Sequence, residues 1–338
     1  MGNIAEQSLR NIIILFGGVF LGALNIIFLY PTILSDAEFG LTRILVSISI
    51  LAANIGAFGA PSILIKFLPF YNSSTLSKSK LFGYIFRLGF IGMLVVFLLL
   101  IILKSLILSF YNENAAYFGE NYYLIFPLIF LIISNSIFSS YSKGLLKSVL
   151  QNFLNDIVIR LIHTVLLILL FIEVIDFNLF LYGFIGGYAV VSLILFFHLI
   201  NTNELTFLNH NKEEINNSNE MITYGGANFL SGLAGNLTNR IDSLMIAGMV
   251  GCALCGENKG LESIAIYSWG LYVASLVEMP GRAVTSIALP FISQFWKNND
   301  KSNINKLYKS SSITQLIVGT LLFLGIWINV DLLFLIKP

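Results

Sequence analysis

Charged side chains are scarce in this 338-residue sequence. Asp, Glu, Lys and Arg make up 11% of it, where a soluble domain carries roughly 25%. With 57% hydrophobic residues and a mean hydropathy of +0.84, too few polar groups remain to cover a water-facing surface. A soluble globular domain is excluded. The few charges nearly balance, at +1 overall. No basic tail or basic helix is present, so no nucleic-acid partner is expected. Histidine occurs three times and cysteine twice. Cys252 and Cys255 form a single C-x-x-C with no second pair and no nearby histidine. No four-ligand metal site is therefore expected. The pair reads as an ordinary loop, or as a disulfide in an oxidising compartment. No G-x-S-x-G, H-E-x-x-H or P-loop occurs, no cofactor motif is present, and the loops are too short to house an enzyme domain. The chain is expected not to be an enzyme.

What the sequence has in abundance is long apolar runs. About 20 apolar residues span the hydrocarbon core as a helix, and backbone groups in lipid must bond internally. The runs are continuous and do not alternate, which argues against a β-barrel. Nine spans are expected, at 11–34, 41–65, 81–103, 121–142, 152–175, 178–200, 222–250, 262–292 and 311–335. The expected fold is all-α, a polytopic transmembrane bundle. Lys and Arg cluster in alternate loops, with Lys78, Lys80, Lys143, Lys147, Lys297, Lys301, Lys306 and Lys309 on the side of Arg10. Only Arg43, Lys104, Lys259 and Lys337 are expected opposite. That bias predicts a cytoplasmic N-terminus. The Asn- and Glu-rich segment 201–221 then reads as a cytoplasmic linker between six helices (1–200) and three (222–338). The odd count, with the chain ending at Lys337-Pro338, predicts an incomplete second lobe and a truncated chain. A weak internal echo links Glu38-Phe-Gly-Leu, opening the second span, to Glu262-Ser-Ile-Ala, opening the eighth; Pro61 and Pro280 then interrupt each.

Polar residues inside the membrane are costly and tend to face a cavity or a partner. The seventh span concentrates them. Asn228, Gly232, Gly235, Asn236 and Asn239 repeat at three- and four-residue spacing, and Asp242 continues that face. Gly225, Gly232 and Gly235 are expected to let helices approach closely. Arg240 lies about 160° around the helix from Asp242, so the two do not pair along it. In the eighth span Glu278 and Arg282 stand one turn apart around Pro280. Proline removes a donor and clashes with the preceding turn, so the helix is expected to kink or open there. That arrangement reads either as an ion pair bracing a kink or as a hinge beside a cavity. Asn25 and Asn54 add polar groups to the first two spans. Lys66 and Arg160 sit near the inner surface and are expected to snorkel. His163 reads as a packed residue sooner than as a proton relay.

The run Arg240-Ile-Asp-Ser-Leu-Met-Ile-Ala-Gly248 resembles the seventh-helix motif of polysaccharide flippases of the Wzx type. These belong to a superfamily with the lipid II flippases and the MATE antiporters. Ala265-Ile-Tyr-Ser, Ala274-Ser-Leu-Val-Glu-Met-Pro-Gly-Arg282 and Ile287-Ala-Leu-Pro290 are similar to the eighth-helix signature, and Glu38-Phe-Gly-Leu after Pro31 also fits. The resemblance implies a MATE-like fold of two lobes in parallel repeat. It implies a flippase of undecaprenyl diphosphate-linked oligosaccharide in the bacterial inner membrane, working by alternating access in cell-surface polysaccharide biosynthesis, including lipopolysaccharide. The implied partners are the lipid-linked oligosaccharide, membrane lipids and the polysaccharide polymerase machinery. Substrate contacts are expected from Arg240, Asp242, Asn236, Asn239, Arg282, Asn25 and Asn54. The hinge is expected at Glu278, Pro280 and Arg282. One alternative is a cation-coupled multidrug antiporter of the same fold, which would want a carboxylate at membrane depth in the first lobe. Helices 1 to 4 show none. Another is a polytopic glycosyltransferase or polymerase, which would want a large outer loop and a carboxylate pair.

Overall fold

The computed structural model describes residues 2–71, 75–111, 116–145, 147–202, 218–238, 240–249, 258–297 and 300–332. Cys252, Cys255, Asn239 and most of the 201–221 linker lie outside the described residues.

Among the described residues the chain is helical and has no strand. In order, the helices are α1 (Gly2–Ala23), α2 (Tyr30–Ile33), α3 (Asp36–Ala57), α4 (Ala60–Phe67), α5 (Thr75–Ile102), α6 (Lys104–Tyr111), α7 (Ala116–Glu120) and α8 (Ile125–Gly144). They continue with α9 (Ser148–Phe153), α10 (Ile159–Phe171), α11 (Phe177–Asn201), α12 (Ser218–Thr238), α13 (Ile241–Met249), α14 (Lys259–Lys297) and α15 (Lys301–Ile328). Two π-turns join neighbours into longer rods: Leu24–Leu29 links α1 to α2, and Leu154–Val158 links α9 to α10. Such turns widen the ladder and are frequent at functional sites.

Among the described residues, eight stretches are long and apolar enough to cross a bilayer. They coincide with eight of the nine expected spans. The seventh differs. Its described residues form α12 and α13, with Arg240 in a turn between them, and neither qualifies. α13, of nine residues, is too short, and polar residues such as Asn228, Asn236 and Thr238 dilute the apolar content of α12. The outside of the bundle is apolar, with Phe20, Ile102, Phe171 and Ile328 all largely exposed. A water-facing surface would not carry that load; a lipid-facing one does.

The second span corrects the role expected for Pro61. α3 starts with a full capping box: Glu38 N–H donates to the Ser35 hydroxyl, and Ser35 N–H donates to the Glu38 carboxylate at 2.9 Å. It ends where Phe58 and Gly59 adopt left-handed conformations, with φ of 44° and 72°. Pro61 then sits in the first turn of α4, where its missing donor costs nothing. The break thus precedes Pro61. The eighth span behaves differently again. α14 continues through Pro280 from Lys259 to Lys297 and does not open there. One lost amide is tolerated because the ladder on either side stays intact.

α3 forms the centre of the molecule. Phe39, Leu41 and Ile44 are completely buried, and the helix packs against α5, α8 and α14. Gly40 permits the closest approach, since a Cβ there would collide with the Leu261 carbonyl of α14. Of the three glycines expected to bring helices together in the seventh span, only Gly225 does so. A Cβ on it would lie 2.6 Å from Ile63 Cδ1, and its own carbonyl crowds Gly59. Gly232 and Gly235 face open space among the described residues.

Candidate functional site

Where α12 and α13 meet α3 and α14, the bundle forms a partly open cavity of about 500 Å³. Arg43 and Ser47 enter it from α3, Asn236 and Thr238 from α12, and Asp242 and Ser243 from α13. Arg240 enters from the break between those two helices. Ser268, Leu271, Tyr272 and Ser275 complete it from α14, and Ile26 from the first π-turn. The lining is thus hydroxyls, one amide, two guanidinium groups and one carboxylate, at the depth of spanning helices.

Local structure explains each position. The capping box fixes where α3 begins and so sets Arg43 two turns into the bundle. There its guanidinium lies 5.0 Å from the centre of the Tyr30 ring and 5.2 Å from that of Phe39. Those rings stack at 5.0 Å. Arg43 is therefore not the loop charge expected on the outer side: burial against aromatic faces carries it inward. Its Nε is buried with no hydrogen-bond partner among the described residues. Arg240 lies where the seventh span breaks, and its N–H donates to the Leu237 carbonyl at 3.1 Å. Its Nη1 reaches the Ser47 hydroxyl only at 3.5 Å. Among the described residues no carboxylate pairs with it.

Asp242 shares the cavity but is engaged elsewhere. Its carboxylate accepts from Ser243 N–H at 2.8 Å and from the Tyr267 hydroxyl. The cavity thus holds one satisfied anion and two cations with unfilled donor capacity. Guanidinium groups in such a state are suited to a phosphate or carboxylate, which their planar fork binds through two parallel bonds.

α14 is tied to the first rod by two bonds to backbone carbonyls. Trp269 Nε1 donates to Ile27 at 3.2 Å, and the Tyr272 hydroxyl donates to Val19 at 3.2 Å. Tyr272 passes Gly22 so closely that a Cβ there would collide with its hydroxyl. The same Cβ would lie 3.3 Å from Arg160 Cζ. Arg160 therefore does not snorkel to the surface as expected. It turns into the bundle, one layer behind the cavity wall, with Nη1 buried.

The remaining expected residues are dispersed. Asn25 is buried in the first π-turn, where it donates to the Arg160 carbonyl at 3.0 Å and accepts from the Thr164 hydroxyl at 2.7 Å. Asn54 donates to Ile50 on its own helix. Neither lines the cavity. Asn236 does, while donating to the Gly232 carbonyl at 2.8 Å. Glu278 is exposed and does not line the cavity, Pro280 is half-buried, and the Arg282 side chain lies outside what is described. His163 is packed: its ring stacks on Phe184 at 4.1 Å, and Nε2 lies 3.3 Å from the Phe184 carbonyl.

Sequence reasoning missed Arg43, Ser47, Ser268, Tyr272 and Ser275. The signal for Arg43 was present, since Ser35 and Glu38 stand at capping-box spacing. That start places Arg43 well inside the span. The α14 hydroxyls, Ser268, Tyr272 and Ser275, recur at helical spacing, but hydroxyls at that spacing serve helix packing as readily as a cavity wall.

A family model described as "Polysaccharide biosynthesis protein" matches residues 8–296, which include every residue lining the cavity. No match was found among curated proteins or among solved structures.

Proposed function

The chain belongs to the polysaccharide biosynthesis protein family, as the resemblance of its seventh and eighth spans to polysaccharide flippases implied, and from that premise we propose that it flips a diphosphate-linked oligosaccharide carried on a lipid. A transport role in polysaccharide synthesis is what the family supports; the nature of the substrate is the further step. The observation that carries it is the cavity, in which Arg43 and Arg240 stand beside each other's hydroxyl-rich walls with donors left unfilled.

A diphosphate entering such a site replaces its water shell with fixed donors, which offsets the prohibitive cost of burying its charge. The serine, threonine and tyrosine hydroxyls suit the hydroxyls of the first sugar. The lipid tail stays in the bilayer, against the apolar exterior. On this reading residues 1–200 form one lobe and the helices from 222 onward belong to the second. The lobes rock to expose the cavity to each side in turn. The Lys and Arg bias supports a cytoplasmic N-terminus, and the family reading places the chain in a bacterial inner membrane.

The test replaces Arg240 in the full chain and follows surface glycan alongside membrane abundance. Arg240→Ala is expected to stop glycan display while abundance stays normal. Arg240→Lys is expected to restore it only in part, because the charge survives but the fork does not. Normal display by Arg240→Ala at normal abundance rules out the substrate contact.

A further inference from the structure

A second polar site lies behind the cavity, in the rods formed by α1 and by α9 with α10. Asp156 occupies the π-turn Leu154–Val158, and Arg160 follows it by one helical turn. Both press on α1 at its small residues. A Cβ on Gly18 would lie 2.8 Å from Asp156 Cβ and 3.0 Å from Arg160 Nη1, and one on Gly22 would meet Arg160 and Tyr272 together. No ion pair joins the two side chains. Neither oxygen of the Asp156 carboxylate has a hydrogen-bond partner among the described residues, and Arg160 Nη1 is buried without one.

That is a costly arrangement to leave static. A buried donor without a partner forfeits its desolvation energy, and Arg160 Nη1 is such a donor, one turn after a half-buried acid. The surroundings are polar enough to support a change of charge. Asn155 donates to the Ser139 hydroxyl at 3.1 Å and accepts from Asn135 at 2.5 Å. Asn152 donates to Asn11 at 3.1 Å, and Asn11 to Ser148 at 3.0 Å. These amides run from α8 through α9 towards the first turns of α1. The charged groups that act on Asp156 are Arg160, from its own rod, and Lys143, from the end of α8. Gly18 of α1 packs directly against it.

We propose that Asp156 is a proton-binding site coupled to the cavity through Arg160. The proposal rests on the reading of the cavity as a diphosphate site. With Asp156 ionised, its field holds the guanidinium back. A proton from water, landing on a carboxylate oxygen, removes that field, and Arg160 is released past Gly22 towards Tyr272 and the bound anion. A proton suits the site better than a metal cation, since it neutralises the acid without adding charge beside Arg160. Proton uptake and anion binding then favour each other by the same factor, as linkage requires.

The experiment measures inorganic pyrophosphate binding to the purified full chain at a series of pH values, for the wild type and Asp156→Asn. Comparing the two at each pH cancels the titration of the ligand itself. Asp156→Asn is expected to bind about tenfold more tightly than wild type near pH 8, the size of a one-unit coupling. The two should converge as the pH falls, and Arg160→Gln should abolish the difference between Asp and Asn at position 156. Asp156→Glu, which keeps the charge, should behave as wild type. Equal binding by Asp156→Asn and wild type at every pH overturns the proposal, as does a difference that does not change with pH. If Arg43→Gln with Arg240→Gln leaves pyrophosphate binding intact, or the wild type does not bind it, the cavity reading fails and this inference falls with it. Infrared difference spectra between high and low pH give a ligand-free check. A protonated carboxyl band is expected in wild type and absent from Asp156→Asn; no such difference counts against the proposal even where a variant folds poorly.

Discussion

The hydroxyl of Tyr267 donates to the carboxylate of Asp242, across the gap between α14 and α13. Asp242 is thereby held to its own backbone and to a tyrosine, and Arg240, two residues before it, is left to the cavity. The lining is net cationic, with two guanidinium groups against one carboxylate, and that acid is held by a neutral donor.

Removal of that donor should turn the cavity against anions. Tyr267→Phe is expected to lower stability by roughly 1.5–3 kcal/mol, the usual worth of a bond to a charged group. The freed carboxylate should then compete for Arg240 and weaken pyrophosphate binding. Thermal unfolding in detergent and a binding isotherm measure the two effects; unchanged binding would show that Asp242 does not reach Arg240.

Arg43 should matter as much as Arg240. Arg43→Gln removes a cation held over Tyr30 and Phe39, and should weaken pyrophosphate binding about tenfold to a hundredfold, as for one charge-assisted bond. Arg43→Lys should retain part of the affinity through charge and ring contact. Equal affinity for Arg43→Gln and wild type would remove Arg43 from the site.

Two glycines on one helix should respond oppositely to the same change. Gly225→Ala drives a methyl into Ile63 and should cost about 1–3 kcal/mol by overpacking. Gly232→Ala meets nothing within 4 Å among the described residues and should be neutral or stabilising by about 0.5–1 kcal/mol. Unfolding midpoints of the two variants decide this, and equal destabilisation would contradict the packing described.

At the start of α15 the pH dependence has a definite sign. Asp300 accepts from Asn303 N–H at 3.1 Å and from the Asn303 side-chain amide at 2.6 Å, which holds its carboxyl below the usual carboxylate range. A lowered value in the folded state means that the cap is in force above the unfolded value, near 3.9. It is lost as the pH falls through the folded one. Hydrogen-exchange protection in the first turn of α15, measured against the intrinsic rate at each pH, should fall below about pH 4, and Asp300→Asn, which still caps, should remove that dependence.

Legibility in the sequence followed the range of the forces involved. Composition and run length determined the membrane, the all-helical class and eight of the spans, because the bilayer penalises every unpaired backbone group whatever the packing. The motif at Arg240–Gly248 carried the resemblance to the family, since its charged and small residues are local in sequence. The same local reading placed Arg240 and Asp242 in one region of one span.

What the tertiary structure alone decided was which groups meet. Arg43 reads as a loop charge until α3 is capped at Ser35, and Arg160 as a surface charge until Gly18 and Gly22 of a helix some 140 residues earlier make room for it. Asn25 and Asn54 look like ligands but spend their donors on carbonyls. Pro280 looks like a break, yet α14 continues past it while the break falls at Phe58 and Gly59. Each of these outcomes depends on contacts between residues far apart in the chain. The periodicity of a single span carries no information on them, because it fixes the direction of a side chain and not the partner that awaits it.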